Sequence, residues 1–375
     1  MSKIAVLGAG MVGSAMAIDL SQNHEVTVFD ANEQALANLL AKQSLLTTKI
    51  VDVTDKKLLI EVIQRFDLVV CAVPGFLGFQ TLKSIIKAKK DVVDISFFPE
   101  DALLLHDLAL ENGVTAIVDC GVAPGMDNII LGRYNEELTV TNFECLVGGL
   151  PKERKWPFCY KAPFSPIDVI EEYTRPARFV ENSNVIVREP LTDVELHEFP
   201  HVGTLESFNS DGLRSLLFTM SHIPNMKEKT LRYPGHAEYI KVLKASGFFS
   251  EKKLLVNGVS ISPLEFTSKV LFNEWKLEST DEELTVMRVT IEGLNKKGKN
   301  VKIVYDLQDT YDMTTQTSSM ARCTGYTATA AVELFLKDLY TVKGISPPEY
   351  LGKDEQCFDF ILKYLSDRGV NYVKE

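Results

Sequence analysis

The chain has 375 residues, too many for one ordinary hydrophobic core, which implies two domains. Its 45% hydrophobic and 24% charged composition excludes a disordered chain. A net charge of −11 repels phosphate backbones and anionic lipid, so nucleic acid and membrane are poor partners and a small-molecule substrate is expected.

In chain order, Lys3 to Leu7 reads as a short apolar strand. It runs into Gly8-Ala9-Gly10-Met11-Val12-Gly13 and then a helical pattern through Leu20, so the opening is read as strand and helix rather than a signal peptide. Glu25 to Phe29 is a second strand, ending at Asp30, and Glu33 to Leu40 a helix rich in Ala and Leu. Further strands are predicted at Lys49–Asp52, Asp67–Val73, Asp91–Ile95 and Val114–Val118, each about one helix length from the next. Apolar strands alternating with helices specify a parallel sheet covered on both faces, with ligands at the carboxyl ends of its strands. This is an α/β Rossmann domain over residues 1–122.

The glycine pattern follows a strand, opens a helix and has an acidic residue 20 positions after its second glycine, as a dinucleotide site requires. Gly8 permits the turn, Gly10 the approach of the pyrophosphate and Gly13 close packing of helix on strand, while the helix N-terminus offers N–H groups to the phosphates. Asp30 then accepts from the ribose hydroxyls and repels a 2′-phosphate, which favours NAD over NADP, or else it caps the next helix. Sheet topology adds Asp52 and Val53 near the adenine, and Cys71, Ala72, Val73, Pro74 and Ser96 toward the nicotinamide.

After Asp119-Cys120-Gly-Val-Ala-Pro-Gly125 the pattern changes. A helix at Met126–Asn135 leads to strands at Thr139–Val147, Asn184–Arg188, Leu284–Glu292 and Val301–Leu307, the last two forming a hairpin about Asn295-Lys-Lys-Gly-Lys-Asn300. Residues 123–317 read as an α+β substrate and dimerisation domain with a mixed or antiparallel sheet. The segment from Gly148 to Gly235 is crowded with loop residues, aromatics and charges, and its runs Gly148–Pro151, Tyr160–Pro166, Phe208–Gly212 and Leu231–His236 read as irregular and polar. Ser318 to Leu339 reads as a long helix with small residues on one face, and 318–375 is expected to rejoin the first domain. The six cysteines form no C-x-x-C pair, and neither they nor the six histidines show zinc spacing. Free thiols, a cytoplasmic location and no metal are expected, and no apolar stretch is long enough to span a bilayer.

Together with the glycine pattern, the runs Trp156-Pro-Phe-Cys-Tyr-Lys-Ala-Pro-Phe-Ser-Pro-Ile-Asp-Val-Ile-Glu-Glu-Tyr-Thr-Arg-Pro-Ala-Arg178 and Met226-Lys-Glu-Lys-Thr-Leu-Arg-Tyr-Pro-Gly-His236 resemble the saccharopine dehydrogenase-like family, and within it the lysine 6-dehydrogenase branch. The resemblance implies a homodimer or higher homo-oligomer, NAD as cofactor, and oxidation of the ε-carbon of lysine to 2-aminoadipate 6-semialdehyde and ammonia. Saccharopine-forming reductases of the family have Arg at the position of Ser210 and often Cys at that of Val147. A hydroxyl cannot replace a bidentate guanidinium on a carboxylate, so both departures favour lysine. A saccharopine or carboxynorspermidine-type reductive condensation, and an NAD sensor without turnover, are the alternatives.

The chemistry requires a base for the ε-ammonium. Asp127, matching an acidic family position, is the first candidate, its alternative being a helix N-terminal charge. Lys161 and His236 are alternatives for proton transfer. Arg232 is the candidate for the substrate α-carboxylate, or an internal ion pair. Tyr160, Thr204 and Asn209 are candidate substrate-lining residues, and Asp119 and Cys120 are placed near the nicotinamide.

Overall fold

The computed structural model describes residues 1–163, 166–278 and 281–375, with 166–168 given by their backbone. The run from Trp156 to Arg178 that carries part of the resemblance thus lies partly outside the described residues, at 164 and 165. The first elements are β1 (Lys3–Leu7), α1 (Met11–Leu20), β2 (Glu25–Asp30), α2 (Glu33–Lys42), β3 (Thr47–Ile50), α3 (Lys56–Ile63), β4 (Leu68–Cys71), α4 (Gly75–Lys87), β5 (Asp91–Asp94), α5 (His106–Asn112) and β6 (Thr115–Ile117). Then come α6 (Met126–Asn135), β7 (Leu138–Pro151), α7 (Pro166–Thr174), β8 (Ala177–Glu181), β9 (Asn184–Arg188), β10 (Glu195–Phe199), β11 (Gly203–Asn209), α8 (Leu216–Thr219), β12 (Asn225–Arg232) and α9 (His236–Ala245). The last are β13 (Leu254–Val256), β14 (Val259–Ile261), α10 (Pro263–Trp275), β15 (Glu283–Asn295), β16 (Asn300–Thr310), α11 (Ser319–Leu336), β17 (Gly344–Ser346), α12 (Pro348–Lys353), α13 (Glu355–Ser366) and β18 (Tyr372–Lys374).

The first sheet is parallel throughout, in the order β17-β6-β5-β4-β1-β2-β3. Its strands are apolar at successive positions because both faces are covered. On β1, Ile4 and Val6 face the core shared with α1 and α11, while Ala5 and Leu7 face the core under α3 and α4. The edge strand β17 comes from the far end of the chain. Buried Asp19 of α1 ties that end down, accepting from Thr329 of α11 (2.7 Å), Tyr364 of α13 (2.7 Å) and Arg368 (2.7 Å).

The second sheet is mixed. Its order is β10-β11-β12-β7-β15-β16-β18, with β8 on β12 and β9 on β8; β12 runs parallel to β7 and the other pairs are antiparallel. β15 and β16 form the expected hairpin, Leu294 opposite Asn300. The expected strand Asn184–Arg188 is β9, but Gly148–Pro151 belongs to β7, Phe208 and Asn209 to β11, and Leu231 and Arg232 to β12, so those parts of the runs read as irregular are strand. Strand β12 reads Asn-Met-Lys-Glu-Lys-Thr-Leu-Arg, and its polar side chains from Glu228 to Arg232 are buried. Tertiary pairing, which no local pattern encodes, makes that burial tolerable. Among the described residues no helix is long and apolar enough to cross a membrane. All six cysteines are free, and among the described residues no cluster of His, Cys, Asp or Glu is arranged for a metal.

Candidate active site

A cleft of about 680 Å³ separates the two sheets. One wall is the carboxyl end of the parallel sheet, from Gly8, Asp30 and Val53 to Ala72, Ser96 and Asp119. The other is built from Val147–Gly149 at the end of β7, Glu171, Glu172 and Arg175 of α7, the loop Ser210–Gly212, and Glu228, Thr230 and Arg232 of β12.

The glycine turn has the expected physics. Gly8 has φ +108°, and a Cβ there would strike the Ala72 carbonyl; a Cβ at Gly13 would strike the carbonyl of Gly8. Nothing lies within 4 Å of where a Cβ of Gly10 would stand, so the turn presents open space at the N-terminus of α1. Among the described residues no side chain caps that terminus and no acidic residue lies in its first turn. Its N–H groups and partial positive charge are free for a pyrophosphate. Asp30 does two jobs: its Oδ2 accepts from Ala9 N–H (2.7 Å), holding the turn, and its Oδ1 from Asn32 N–H (2.7 Å). It does not cap α2, because Asn32 does so by accepting from Gln34 and Ala35.

Asp52, Val53, Met11, Val12, Ala72, Val73, Pro74 and Ser96 line the same half of the cleft. Asp52 stands exposed just beyond β3, its pKa lowered by the backbone and hydroxyl of Thr54. Cys71 and Cys120 do not reach the cleft. Cys71 is buried against Ser96 (3.5 Å), and Cys120 under Thr327 has its thiol pushed up to about 12 by burial and then by Asp119. Just beyond β6 Asp119 is held by Arg214, whose Nε donates to Oδ1 (2.9 Å) and whose Nη1 donates to the Phe98 carbonyl (2.6 Å). The pair is buried and joins the two domains.

The second wall holds both arginines of the lining, with Glu171, Glu172, Asp211 and Glu228. Arg232 lines the cleft but pairs with Glu172 (2.7 Å) and packs 4.5 Å from the Tyr160 ring. Burial opposes its charge, yet Tyr160, Tyr173 and Glu172 hold its pKa above the ordinary arginine value. Arg175, the other cation of the lining, pairs with Glu171. Asp211 pairs with Arg178 (2.8 Å), and Ser210 accepts from Thr230 (2.8 Å). Glu228 differs: it is buried, packed against Gly212, and its Oε2 has no hydrogen-bond partner among the described residues. Burial, then Asp127, Asp211 and Glu172, raise its pKa well above the carboxylate range.

Several expected site residues stand elsewhere. Asp127 lies behind the lining, fully buried, with Oδ1 accepting from Gly125 N–H (2.9 Å). Lys161 donates to the Glu274 carbonyl (2.8 Å) away from the cleft. Thr204 bonds Glu198 on β10, and Asn209 is buried against Thr192 and Asp193. His236 is enclosed by Tyr173 (2.9 Å) and the Phe158 carbonyl (3.0 Å); burial and then Arg232 lower its pKa to about 3, so it is neutral. Tyr160 and His236 pack behind Arg232 and fix it rather than face the cleft. Sequence reasoning passed over Glu228, Glu172, Arg175 and Arg214. Glu228 lies inside the Met226–His236 run, and only the sheet face on which it falls distinguishes it from its lysine neighbours.

Two family profiles cover the chain: the saccharopine dehydrogenase NADP binding domain over residues 4–117, and the saccharopine dehydrogenase C-terminal domain over 121–370. Saccharopine dehydrogenase [NADP(+), L-glutamate-forming] of Saccharomyces cerevisiae is 26% identical over 261 residues, which are 66% of this chain and 58% of that protein. Alpha-aminoadipic semialdehyde synthase of Arabidopsis thaliana is 25% identical over 251 residues, 61% of this chain and 23% of that one. The chain thus spans less than two thirds of the length of these relatives. The solved apo structure of the Saccharomyces cerevisiae saccharopine dehydrogenase (L-Glu forming) superposes with a TM-score of 0.83 at 19% identity, covering 100% of this chain and 99% of that one, and shows the same fold.

Proposed function

Because the chain belongs to the saccharopine dehydrogenase family, we propose that it is an NAD-dependent L-lysine 6-dehydrogenase, acting on the ε-amine of lysine. The open N-terminus of α1 and the carboxylate of Asp30 fit a dinucleotide, and the neighbouring lining residues Ala31, Val51, Asp52 and Val53 carry no cation for a 2′-phosphate. The bound dinucleotide supplies the hydride acceptor.

One observation carries the substrate reading. Both cations of the lining, Arg175 and Arg232, are already paired, while the Glu228 carboxylate is left over. Such a wall attracts an ammonium and repels extra carboxylates. Lysine brings two ammonium groups and one carboxylate, whereas saccharopine brings three carboxylates. Ser210, engaged with Thr230, offers no charge to a glutamate half. Glu228 accepts a proton from the ε-ammonium, and the neutral amine then loses hydride from C6. Glu228 next aligns water on the resulting imine, whose C=N bond is replaced by C=O as ammonia leaves. In sum, lysine, NAD⁺ and water become the semialdehyde, ammonium, NADH and a proton.

The names of the relatives favour a second reading, in which saccharopine is the substrate. The experiment is to follow NADH or NADPH formation at alkaline pH with lysine or saccharopine. The reverse reaction is then run from the semialdehyde with ammonia or glutamate. Turnover with lysine, and with ammonia in reverse, supports the proposal; a requirement for saccharopine and glutamate refutes it.

A further inference from the structure

Glu171, Glu172 and Arg175 bring α7, and the residue beyond its end, into the lining of the cleft. Arg175 donates its N–H to the Glu171 carbonyl (2.8 Å), so the helical turn continues past Thr174 and sets the Arg175 and Glu171 side chains beside each other as an ion pair. The two arginines of the lining are held very differently. The Arg232 side chain is 2% exposed, and Tyr160 and Tyr173 back its pair with Glu172, so breaking that pair strands a charge out of water. The Arg175 and Glu171 side chains are 19% and 34% exposed. A pair of neighbours on one helix, in contact with water, holds its partners weakly, and another charge can take the place of either. We infer that the Arg175–Glu171 pair is the site for the α-amino-carboxylate head of the substrate. The carboxylate takes the Arg175 fork from Glu171, and the freed Glu171 takes the α-ammonium. The identity of that substrate rests on the function proposed above.

The exchange balances charge. One ion pair becomes two and no net charge enters the wall, while Glu228 remains on the same wall for the ε-ammonium. A simple diamine gives Glu171 an ammonium but leaves Arg175 without an anion, and an ω-amino acid without an α-amine does the reverse. The pair therefore selects α-amino acids. The cations nearby are not open to the same exchange: Arg178 pairs with Asp211 (2.8 Å) and stands outside the lining, and Arg214 is buried on Asp119 and the Phe98 carbonyl. Arg175 is also held in a suitable attitude. Its guanidinium lies over the ring of Phe97, 5.2 Å from the ring centre, on the loop that follows β5 in the opposite wall. A ring against the flat of the group leaves its N–H edge to meet a carboxylate with two parallel hydrogen bonds.

Calorimetry on the enzyme saturated with NADH tests this with three ligands: L-lysine, L-lysinamide, whose carboxylate is neutralised, and 6-aminohexanoate, which lacks the α-ammonium. The wild type should bind lysine about tenfold or more tighter than either analogue. Arg175→Met should weaken lysine about tenfold or more and lysinamide much less, so that the ratio of their dissociation constants closes toward unity. Glu171→Gln should close the ratio of lysine to 6-aminohexanoate in the same way, whereas a general disturbance of α7 weakens all three ligands alike. If Arg175→Met does not fold, Arg175→Lys, which keeps the charge and loses the fork, must narrow the ratio of lysine to lysinamide. A wild type that prefers lysine to neither analogue, or variants in which every ligand loses equally, overturns the inference. NADH formation from lysine together with equal losses keeps the proposed function and removes the head-group site. Closing ratios in a protein that forms no NADH from lysine keep the site and remove the function, since saccharopine carries the same head.

Discussion

Glu228→Gln separates chemistry from architecture. Glutamine keeps the size that fits against Gly212 but cannot take a proton. A positioned base contributes about 10² to 10⁴ in rate, so kcat with lysine should fall by that factor, about 3–5 kcal/mol of barrier. NAD affinity should hold, since Glu228 belongs to the wall opposite the glycine turn. Stability should move the other way. The folded carboxyl has a pKa raised chiefly by burial, above its unfolded value near 4.5. The folded state therefore binds the proton more tightly. The resulting stability is full below pH 4.5 and is lost as pH rises toward the folded pKa, by about 1.4 kcal/mol for each pH unit separating the two values. Glutamine has no proton to lose, so urea melts at pH 5 and pH 8 should show the variant gaining on the wild type at the higher pH. An unchanged kcat, or a variant equally destabilised at both pH values, would refute the assignment of a buried, unpaired base.

Asp30→Ser should weaken NAD binding about tenfold through loss of a charged hydrogen-bond acceptor and shift preference toward NADP, measured as the ratio of dissociation constants. A Cβ at Gly13 meets the Gly8 carbonyl, so Gly13→Ala should abolish dinucleotide binding by calorimetry, and full affinity would argue against the pyrophosphate site. Arg214→Met leaves Asp119 buried without its partner and should cost about 3–5 kcal/mol in urea unfolding; a loss below about 1 kcal/mol would show that the domains are joined by other contacts. His236, its pKa lowered to about 3 by burial, should show a neutral ring in NMR spectra at pH 5. Its contribution to stability is present above pH 6.5 and is lost as pH falls toward 3.

Much of the first domain was written into local sequence. Strand–turn–helix spacing, three glycines and an aspartate at a strand end are short-range features, and each has one mechanical solution: a residue with positive φ at Gly8, close approach at Gly13, and an acceptor at the end of β2. The hairpin of β15 and β16 was legible for the same reason, since its turn and its strands are neighbours in the chain. The second wall of the cleft was not. Strand β12 has no apolar alternation, because its inward residues include Glu228, Thr230 and Arg232, and the partners of the last two, Ser210 and Glu172, come from distant segments. For the same reason the sequence put Asp127 first, with Lys161 and His236 as alternatives, and could not see where packing would hold them. Packing then placed one behind the lining, one on a loop and one within a ring of aromatic groups. Local chemistry determined where a dinucleotide would be held; which carboxylate stands unpaired in the lining was decided by the register of β12 against β7, a long-range pairing that the order of residues does not display.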